Sequence, residues 1–400
     1  MRVAHLSLAD YRNYRAAELE LQPGPNLLVG RNGQGKTNLV EAIGYFATLR
    51  SHRVTGDAAL IRAGAEAAVA RMRVEASGRD VLLELQLNRD RPNRAQVNRN
   101  AVRPRELTRW FRTVLFAPED LTIVRGDPSG RRRFLDDALI SRSPAAAGVI
   151  ADYERVLRQR TSLLKSARGG GRAAVDATLD VWDAQLIEYG SWIMHARRGL
   201  VAELGEPLRR SYSVLVDQDH RPTIGLSEST TNTLRSDVSR ETAADALDGG
   251  AAALVDVSRE TIAEQFASAL RAVRSQELDR GVTLVGPHRD DALFMLNGLP
   301  VKGYASHGES WSFILSLRLA TALLLREESP GGDPVIILDD VFAELDSSRR
   351  RSLMAAVSEF EQVIVTAAVE GDVPDDVFWH RTYIDGGRVR TTPISEGGAE

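Results

Sequence analysis

Cysteine is absent from the 400 residues and lysine nearly so, since Lys36, Lys165 and Lys302 are the only lysines among 51 basic residues. The first absence excludes disulfides, thiol catalysis and thiolate metal sites, and it fits a reducing, cytoplasmic setting. There is no long uncharged apolar stretch, so no transmembrane segment and no membrane partner is expected. The opening residues, Met1-Arg2-Val3-Ala4-His5-Leu6, alternate like a strand and lack the basic-then-apolar layout of a secretory signal. With 43% hydrophobic and 26% charged residues the composition is not that of a disordered chain. The length is too great for one compact core and implies two domains, or one domain carrying a large insertion.

What is present is lopsided. A GC-rich genome drifting to arginine codons explains most of the arginine excess, but arginine and lysine differ physically, so a retained lysine asks for a reason. The net charge of −4 conceals a segregation: residues 91–172 hold 18 Arg/Lys against 8 Asp/Glu, a local +10 that leaves −14 for the rest. Such a segment is either a solvated basic face or the footprint of a polyanion-binding surface.

Short strands are predicted at Val3 to Leu8, Ala17 to Leu21 and Asn26 to Val29, followed by a glycine-rich turn and a helix from about Thr37 to Phe46. Arg71 to Ala76 and Val81 to Leu87 alternate around Ser77-Gly78 as a hairpin, continued by Arg94 to Asn98. From about Arg131 the period becomes helical. Ile150, Tyr153, Leu157 and Leu164 form one stripe, interrupted at 160/161. Val175, Leu179, Trp182, Leu186, Tyr189, Ile193, Ala196 and Leu200 follow a 4-3-4-3 spacing. Two antiparallel helices joined by the turn at Arg168-Gly-Gly-Gly-Arg172 are expected to make an arm, the second about 35 residues or ~50 Å long, with Gly190 and Gly199 as points of kinking. Residues 221–256 read as a tolerant, flexible loop in which Asp237-Val-Ser-Arg-Glu-Thr242 recurs as Asp256-Val-Ser-Arg-Glu-Thr261, the second copy opening a helix to about Leu278. Strand character returns at Val282 to Val285, Leu293 to Leu296 and Pro300 to Lys302. It is followed by a helix (Trp311 to Arg326), a strand (Val335 to Leu338), a helix (Ser347 to Phe360) and a strand (Val363 to Thr366). The expected architecture is therefore α/β: a globular head built from both chain ends (1–128 and 279–400) around an inserted, mainly helical arm (129–278).

Gly30-Arg31-Asn32-Gly33-Gln34-Gly35-Lys36-Thr37 satisfies the P-loop pattern between a predicted strand and a predicted helix. Glycines there let backbone N–H groups wrap phosphates, and the helix N-terminus favours the anion. Lys36 is placed to reach the β- and γ-phosphates of ATP, and the Thr37 hydroxyl to ligate Mg²⁺. Val335-Ile-Ile-Leu-Asp339-Asp340 alone reads as a buried parallel strand with a solvated turn. Beside a P-loop it becomes a Walker B element, with Asp339 holding Mg²⁺ and Asp340 polarising the attacking water. Ser306-His307-Gly308-Glu309-Ser310 alone reads as a helix cap. In a P-loop protein split by a helical insertion, it resembles the signature turn of ABC-type ATPases, which meets the γ-phosphate bound by a partner subunit. Glu344-Leu345-Asp346 then resembles the D-loop, and Thr366 stands where such enzymes have a switch residue, Thr here replacing the transporters' His.

The P-loop continues through Asn38 as Gly-Arg-Asn-Gly-Gln-Gly-Lys-Thr-Asn-Leu-Val-Glu-Ala-Ile, the form found in the SMC/RecF/RecN group of DNA-associated ATPases. Tyr11-Arg12-Asn13-Tyr14, Phe116-Ala-Pro-Glu-Asp-Leu121, Gly126-Asp-Pro-Ser-Gly-Arg-Arg-Arg-Phe-Leu-Asp136, Gly286-Pro-His-Arg-Asp290 and Leu338-Asp-Asp-Val-Phe-Ala-Glu-Leu-Asp346 resemble, in order and over nearly the whole chain, the motifs of the RecF family. The resemblance implies an ABC-like ATPase with weak, DNA-stimulated hydrolysis that dimerises around ATP and binds DNA, whether duplex, single strand or gap junction. It also implies action with RecO and RecR to place RecA at gaps in recombinational repair. It assigns the residues from Gly30 to Asn38, with Ser306, Gly308, Glu309 and Thr366, to the nucleotide. His307 and Glu309-Ser310 depart from the glutamines that many members carry.

Competing readings are a long coiled-coil clamp of the SMC or RecN kind, a transporter ATPase subunit, a fused nuclease, and a binding-only protein with a vestigial site. The arm is too short for the first. The second expects a Glu after the Walker B Asp and a switch His, and the third an extra acidic cluster. Whether Arg12, Asn13 or neighbours read adenine is open, as is whether Arg131 to Arg133 touch DNA or are structural.

Overall fold

The computed structural model describes residues 1–167, 172–235, 257–328 and 331–392. The expected glycine turn before Arg172 and the first copy of the duplicated hexapeptide lie outside the described residues. Fifteen strands are described: β1 (Arg2–Tyr11), β2 (Tyr14–Glu20), β3 (Gly24–Val29), β4 (Ala67–Ala76), β5 (Arg79–Asn88), β6 (Arg94–Val97), β7 (Asn100–Val102), β8 (Thr113–Phe116), β9 (Thr223–Ser227), β10 (Asp291–Leu296), β11 (Leu299–Pro300), β12 (Val335–Asp339), β13 (Gln362–Ala367), β14 (His380–Asp385) and β15 (Arg388–Arg390). The principal helices are α1 (Lys36–Thr48), α2 (Leu121–Arg125), α3 (Pro128–Arg142), α4 (Ala145–Ser166), α5 (Arg172–Leu215), α6 (Ser229–Arg235), α7 (Arg259–Arg280), α8 (His307–Glu327) and α9 (Ser347–Val357). No described helix is long and apolar enough to cross a membrane.

The chain forms two compact units: Met1–Leu121 with Arg210–Asp219 and Trp311–Glu400, and Thr122–Arg209 with His220–Ser310. The first carries two sheets. Alternation along β1, β4 and β5 makes one face apolar, and these strands lie in the antiparallel order β2-β1-β4-β5-β6-β7. The second sheet, β15-β14-β3-β13-β12-β8, is parallel except at β15, and its central strands are continuous apolar runs, as burial on both faces requires. Leu39, Ile43 and Phe46 of α1 share one core with Leu6, Met72 and Leu83 of the first sheet and Ile337 and Ile364 of the second. Gln362 stitches the sheets: its amide accepts from the Val3 N–H at 2.8 Å and donates to the carbonyls of Val3 and Gln22 at 2.9 Å.

In the second unit the 4-3-4-3 stripe of α5 is buried at Leu179, Leu186, Ile193 and Leu200 and half-buried at Trp182, Tyr189 and Ala196. The helix runs 44 residues, longer than the 35 expected. Gly190 is a close-packing position: a Cβ there would come within 2.5 Å of Phe266 and 3.2 Å of Tyr153. The break in the α4 stripe is Arg160, fully buried and bonded to Asp183 at 2.6 Å, Glu277 at 2.7 Å and Thr283 at 2.9 Å. A third helix, α7, joins this network. It is N-capped by Ser258, whose hydroxyl accepts from the Thr261 N–H, so the second hexapeptide copy does open a helix.

Two expectations shift. Residues 221–256 do not read as a loop throughout, because β9 pairs antiparallel with β10, Ser227 opposite Asp291. For the same reason residues 279–310, expected in the head, cluster with the helical unit. The Gly286-Pro-His-Arg-Asp290 motif is a buried brace there. Gly286 takes φ 123° against Phe266 and Tyr153, and Asp290 accepts from the Ser229 backbone at 2.8 Å and hydroxyl at 2.9 Å.

Candidate functional site

Residues 30–35 connect β3 to α1, and their shape is set from outside as much as by their own glycines. Gly35 is the α1 N-cap with φ 116°, and a Cβ there would lie 2.6 Å from Tyr14 Oη and 2.7 Å from Asn13 Nδ2. Only glycine meets both the torsion and the space. Arg31, Asn32 and Gly33 are exposed. The Gln34 side chain accepts from the Gly386 N–H at 2.5 Å, tying the loop to the β14–β15 turn. A chain of amides holds its other side: Asn13 donates to the Gln34 carbonyl (3.1 Å), Asn38 donates to Asn13 (2.8 Å), and Arg53 donates to Asn38 (2.9 Å). Arg12 forks onto the buried Glu41 of α1 at 2.6 and 2.8 Å, and Ser51 donates to the same carboxylate at 2.5 Å. The side chains of Arg12 and Asn13 are therefore engaged in bracing the P-loop and its helix. Sequence reading missed this brace because its partners converge only through the two hairpin turns.

Lys36 is buried, with its ammonium 2.8 Å from the Gly30 carbonyl and 3.9 Å from Asp340 Oδ1. The strand order β3-β13-β12 sets Thr366 between the P-loop strand and the Walker B strand, in register with Leu28 on one side and Asp339 on the other. A closed polar cluster follows. Thr37 donates to Asp339 Oδ1 at 3.1 Å, Thr366 donates to the same oxygen at 2.6 Å, and the Asp340 N–H donates to Thr366 Oγ1 at 2.9 Å. Burial pushes the Asp339 carboxyl up to about 6, the Thr366 bond opposing this and the Asp340 charge adding to it. Asp340 takes φ 51°, a left-handed conformation that a non-glycine residue adopts at some cost, and this leaves its carboxylate partly exposed beside Lys36. Thr366, expected to touch nucleotide, is fully buried with its hydroxyl given to the two Walker B residues. It positions them.

Ser306, Gly308 and Glu309 belong to the second unit. They form a capping box at the start of α8: the Glu309 N–H donates to Ser306 Oγ (3.2 Å) and the Ser306 N–H to Glu309 Oε2 (2.7 Å). These bonds hold the Glu309 carboxyl below its usual range. Glu309 thus caps the helix in the way S-x-x-E predicts, and its charge sits at the positive end of the helix dipole. Arg125 donates to Ser310 Oγ at 3.3 Å and lies 3.4 Å from His307 Nδ1, two of the three positions that depart from the family pattern. In the D-loop, Asp346 caps α9 by accepting from the Arg349 N–H at 2.9 Å. Of the basic triplet, Arg131 is buried and forked onto Asp291 at 2.6 and 2.9 Å, Arg132 donates to the Asp290 carbonyl at 2.7 Å, and only Arg133 is exposed.

The donor set fits a hard divalent cation. A hydroxyl and a buried carboxylate converge beside the P-loop lysine, and that carboxylate's recorded partners are hydroxyls, which leave its charge uncompensated. Among the described residues no cluster of three or more His, Asp or Glu suggests a separate metal site.

Comparison with known proteins agrees with this geometry. A family model described as RecF/RecN/SMC N terminal domain matches residues 2–375. A DNA replication and repair protein RecF from Leifsonia xyli subsp. xyli is 54% identical over 390 residues, covering 97% of this chain and 99% of that protein. A RecF of the same description from Clavibacter sepedonicus is 52% identical over 403 residues, covering 100% and 97%. The solved structure of the recombination mediator protein RecF-ATP in the RecFOR pathway superposes with a TM-score of 0.80 at 27% identity, covering 97% of this chain and 96% of that one. Relatives of matching length leave no room for a coiled coil of hundreds of residues. The chain belongs to the RecF family, within the RecF/RecN/SMC group of ABC-type ATPases.

Proposed function

We propose that this protein is an ATP-dependent DNA-binding ATPase of recombinational repair and replication whose heads pair around ATP and part on hydrolysis. The observation that carries the reading is the polar cluster joining Thr37, Asp339, Thr366 and Asp340 beside Lys36, because it couples the P-loop to the strand that must activate water. Backbone N–H groups of Gly33 to Thr37 cradle the phosphates, and Lys36 exchanges its Gly30 carbonyl for the β- and γ-phosphates. Thr37 and Asp339 hold Mg²⁺, which when bound offsets phosphate charge. Asp340 orients and polarises the water, its backbone fixed by Thr366. Ser306 and Gly308 of a second subunit complete the γ-phosphate site, with Glu309 acting through the cap. DNA contact is mostly through phosphates, hence salt-sensitive. The relatives' names support a role in DNA replication and repair, and the RecFOR pathway of the solved RecF structure supports action alongside RecO and RecR. On the same reading that action lies upstream of RecA and in the cytoplasm.

Sedimentation with ATP tests this. Lys36→Ala is expected to lose ATP binding and dimerisation together, whereas Asp340→Asn keeps binding and accumulates as a dimer. A monomeric Asp340→Asn protein at saturating ATP overturns the cycle. DNA-stimulated ATP hydrolysis, measured alongside, separates a working ATPase from a binding-only protein.

A further inference from the structure

The basic run at 91–172 divides into two parts of different character. Several of its later arginines pair within the helical unit: Arg131 with Asp291, Arg142 with Glu203, Arg155 with Asp152, and Arg160 with Asp183 and Glu277. Five of the earlier ones do not. Arg94, Arg99, Arg103, Arg105 and Arg109 are all exposed, and among the described residues none has an ion-pair partner. By contrast, Arg62, Arg71 and Arg381 of the same unit each meet a carboxylate.

The five are carried by β6, the turn after it, the edge strand β7 and the short 3-10 helix Pro104–Arg109. One step beyond the Ala95↔Val102 pair, the register sets Arg94 opposite Arg103. Like charges directly opposite across strands are destabilising, so the arrangement is kept at a cost to the fold. Glu106, the one acid between residues 91 and 109, has its carboxylate turned to the Arg103 N–H at its own helix start. Trp110 closes the run with 42% of its surface exposed. Edge strands are commonly protected from pairing by a charge or two. Five uncompensated arginines exceed that need, and an exposed indole beside them works against it.

We propose that this edge is the nucleic-acid surface of the head, and that it recognises DNA carrying unpaired bases: the arginines take the phosphates and Trp110 stacks on a base. The proposal rests on the DNA-binding reading above and adds where and what kind. Arginine forks suit phosphate oxygens, and an indole face is useful only where a base is out of the duplex stack.

Fluorescence anisotropy on the full chain with ATP, across about 50 to 200 mM salt, compares a blunt duplex, the same duplex with a single-stranded overhang, and the single strand. Wild type is expected to favour the overhang over the blunt duplex. Trp110→Leu is expected to lose roughly tenfold on the overhang and single strand while keeping its blunt-duplex affinity. The triple variant Arg103→Ser, Arg105→Ser, Arg109→Ser is expected to weaken binding to all three probes and flatten the salt slope by about two to three. Arg105→Gln alone repeats the effect in milder form, with a slope change of about one, and melts with wild type, while the triple variant, relieved of the Arg94–Arg103 repulsion, should melt at or slightly above wild type. If wild type binds DNA but the arginine variants keep its affinity and slope, this surface is refuted while the DNA-binding reading stands. If wild type binds none of the probes, both fall. Equal losses for Trp110→Leu on blunt and overhang probes overturn the base-stacking assignment.

Discussion

Replacing Asp339 by Asn should stabilise the protein while stopping hydrolysis. Burial raises the Asp339 carboxyl from its ordinary 3.8 to about 6. Two pKa units at 1.36 kcal/mol each put the cost of ionising it in the folded chain at about 3 kcal/mol. The sign follows from proton binding. The folded chain keeps this proton to higher pH than the unfolded chain does, so wild type loses stability as pH rises from about 4 to 6 and loses no more beyond. Asn carries no such charge, and its side-chain oxygen still accepts from the Thr37 and Thr366 hydroxyls. The variant should therefore exceed wild type by about 3 kcal/mol at pH 8 and by about half that at pH 5. Urea unfolding followed by tryptophan fluorescence, in EDTA without nucleotide, reads the difference. Adding ATP and Mg²⁺ should narrow the gap, because a bound cation relieves wild type alone. A variant that unfolds at or below the wild-type midpoint at pH 8, or a gap that does not change with pH, refutes the reasoning.

Three further outcomes are expected. Gly35→Ala must accept φ 116° and a Cβ against Tyr14 and Asn13, so ATP affinity should fall by more than tenfold in equilibrium dialysis; unchanged affinity means the brace yields. Glu309→Gln keeps an acceptor for the Ser306 N–H but removes a negative charge from the α8 N-terminus. ATP-driven dimerisation should tighten by about two- to fivefold in sedimentation equilibrium, and weaker association counts against a phosphate meeting that helix. Arg160→Met leaves Glu277 buried without its cation, while Asp183 keeps Arg274 at 2.9 Å, and should cost about 3–5 kcal/mol in thermal or urea unfolding. Burial already raises the Glu277 carboxyl, so the loss should be greater at pH 8 than at pH 6; a loss under about 1 kcal/mol means water reaches that carboxylate.

The P-loop was legible because its information is local: glycine spacing, a strand before it and a helix after. The Walker B strand gained meaning only from company, and the α5 stripe showed its buried residues because helical period is also local. What escaped reading depends on which strands become neighbours. Asn13 and Gln34 are 21 residues apart and Gln34 and Gly386 are 352 apart, so no window of sequence contains the brace. Thr366 was picked out by position, but the direction of its hydroxyl follows from the sheet order, which sets it against Asp339. Arg160 looked like a flaw in the α4 stripe because its partners come from α5, α7 and the turn after α7. The basic run showed its sum but not its division, since charge counts do not tell which arginines meet carboxylates. Of the rare lysines, Lys302 caps the Gly126 carbonyl at 2.9 Å, a task arginine could share, and nothing in the structure explains Lys165.

The Gln362 amide that bonds Val3 and Gln22 reaches across 340 residues of chain. On a ribosome adding about 5–20 residues each second, the strand bearing the P-loop waits roughly 20 to 70 s before β13 emerges to pair with it. Throughout that interval the apolar strand β3 lacks both of its parallel neighbours, β13 and β14. The nucleotide site is thus among the last parts of the head to assemble, and a truncated nascent chain exposes a sticky edge with no capacity to bind ATP.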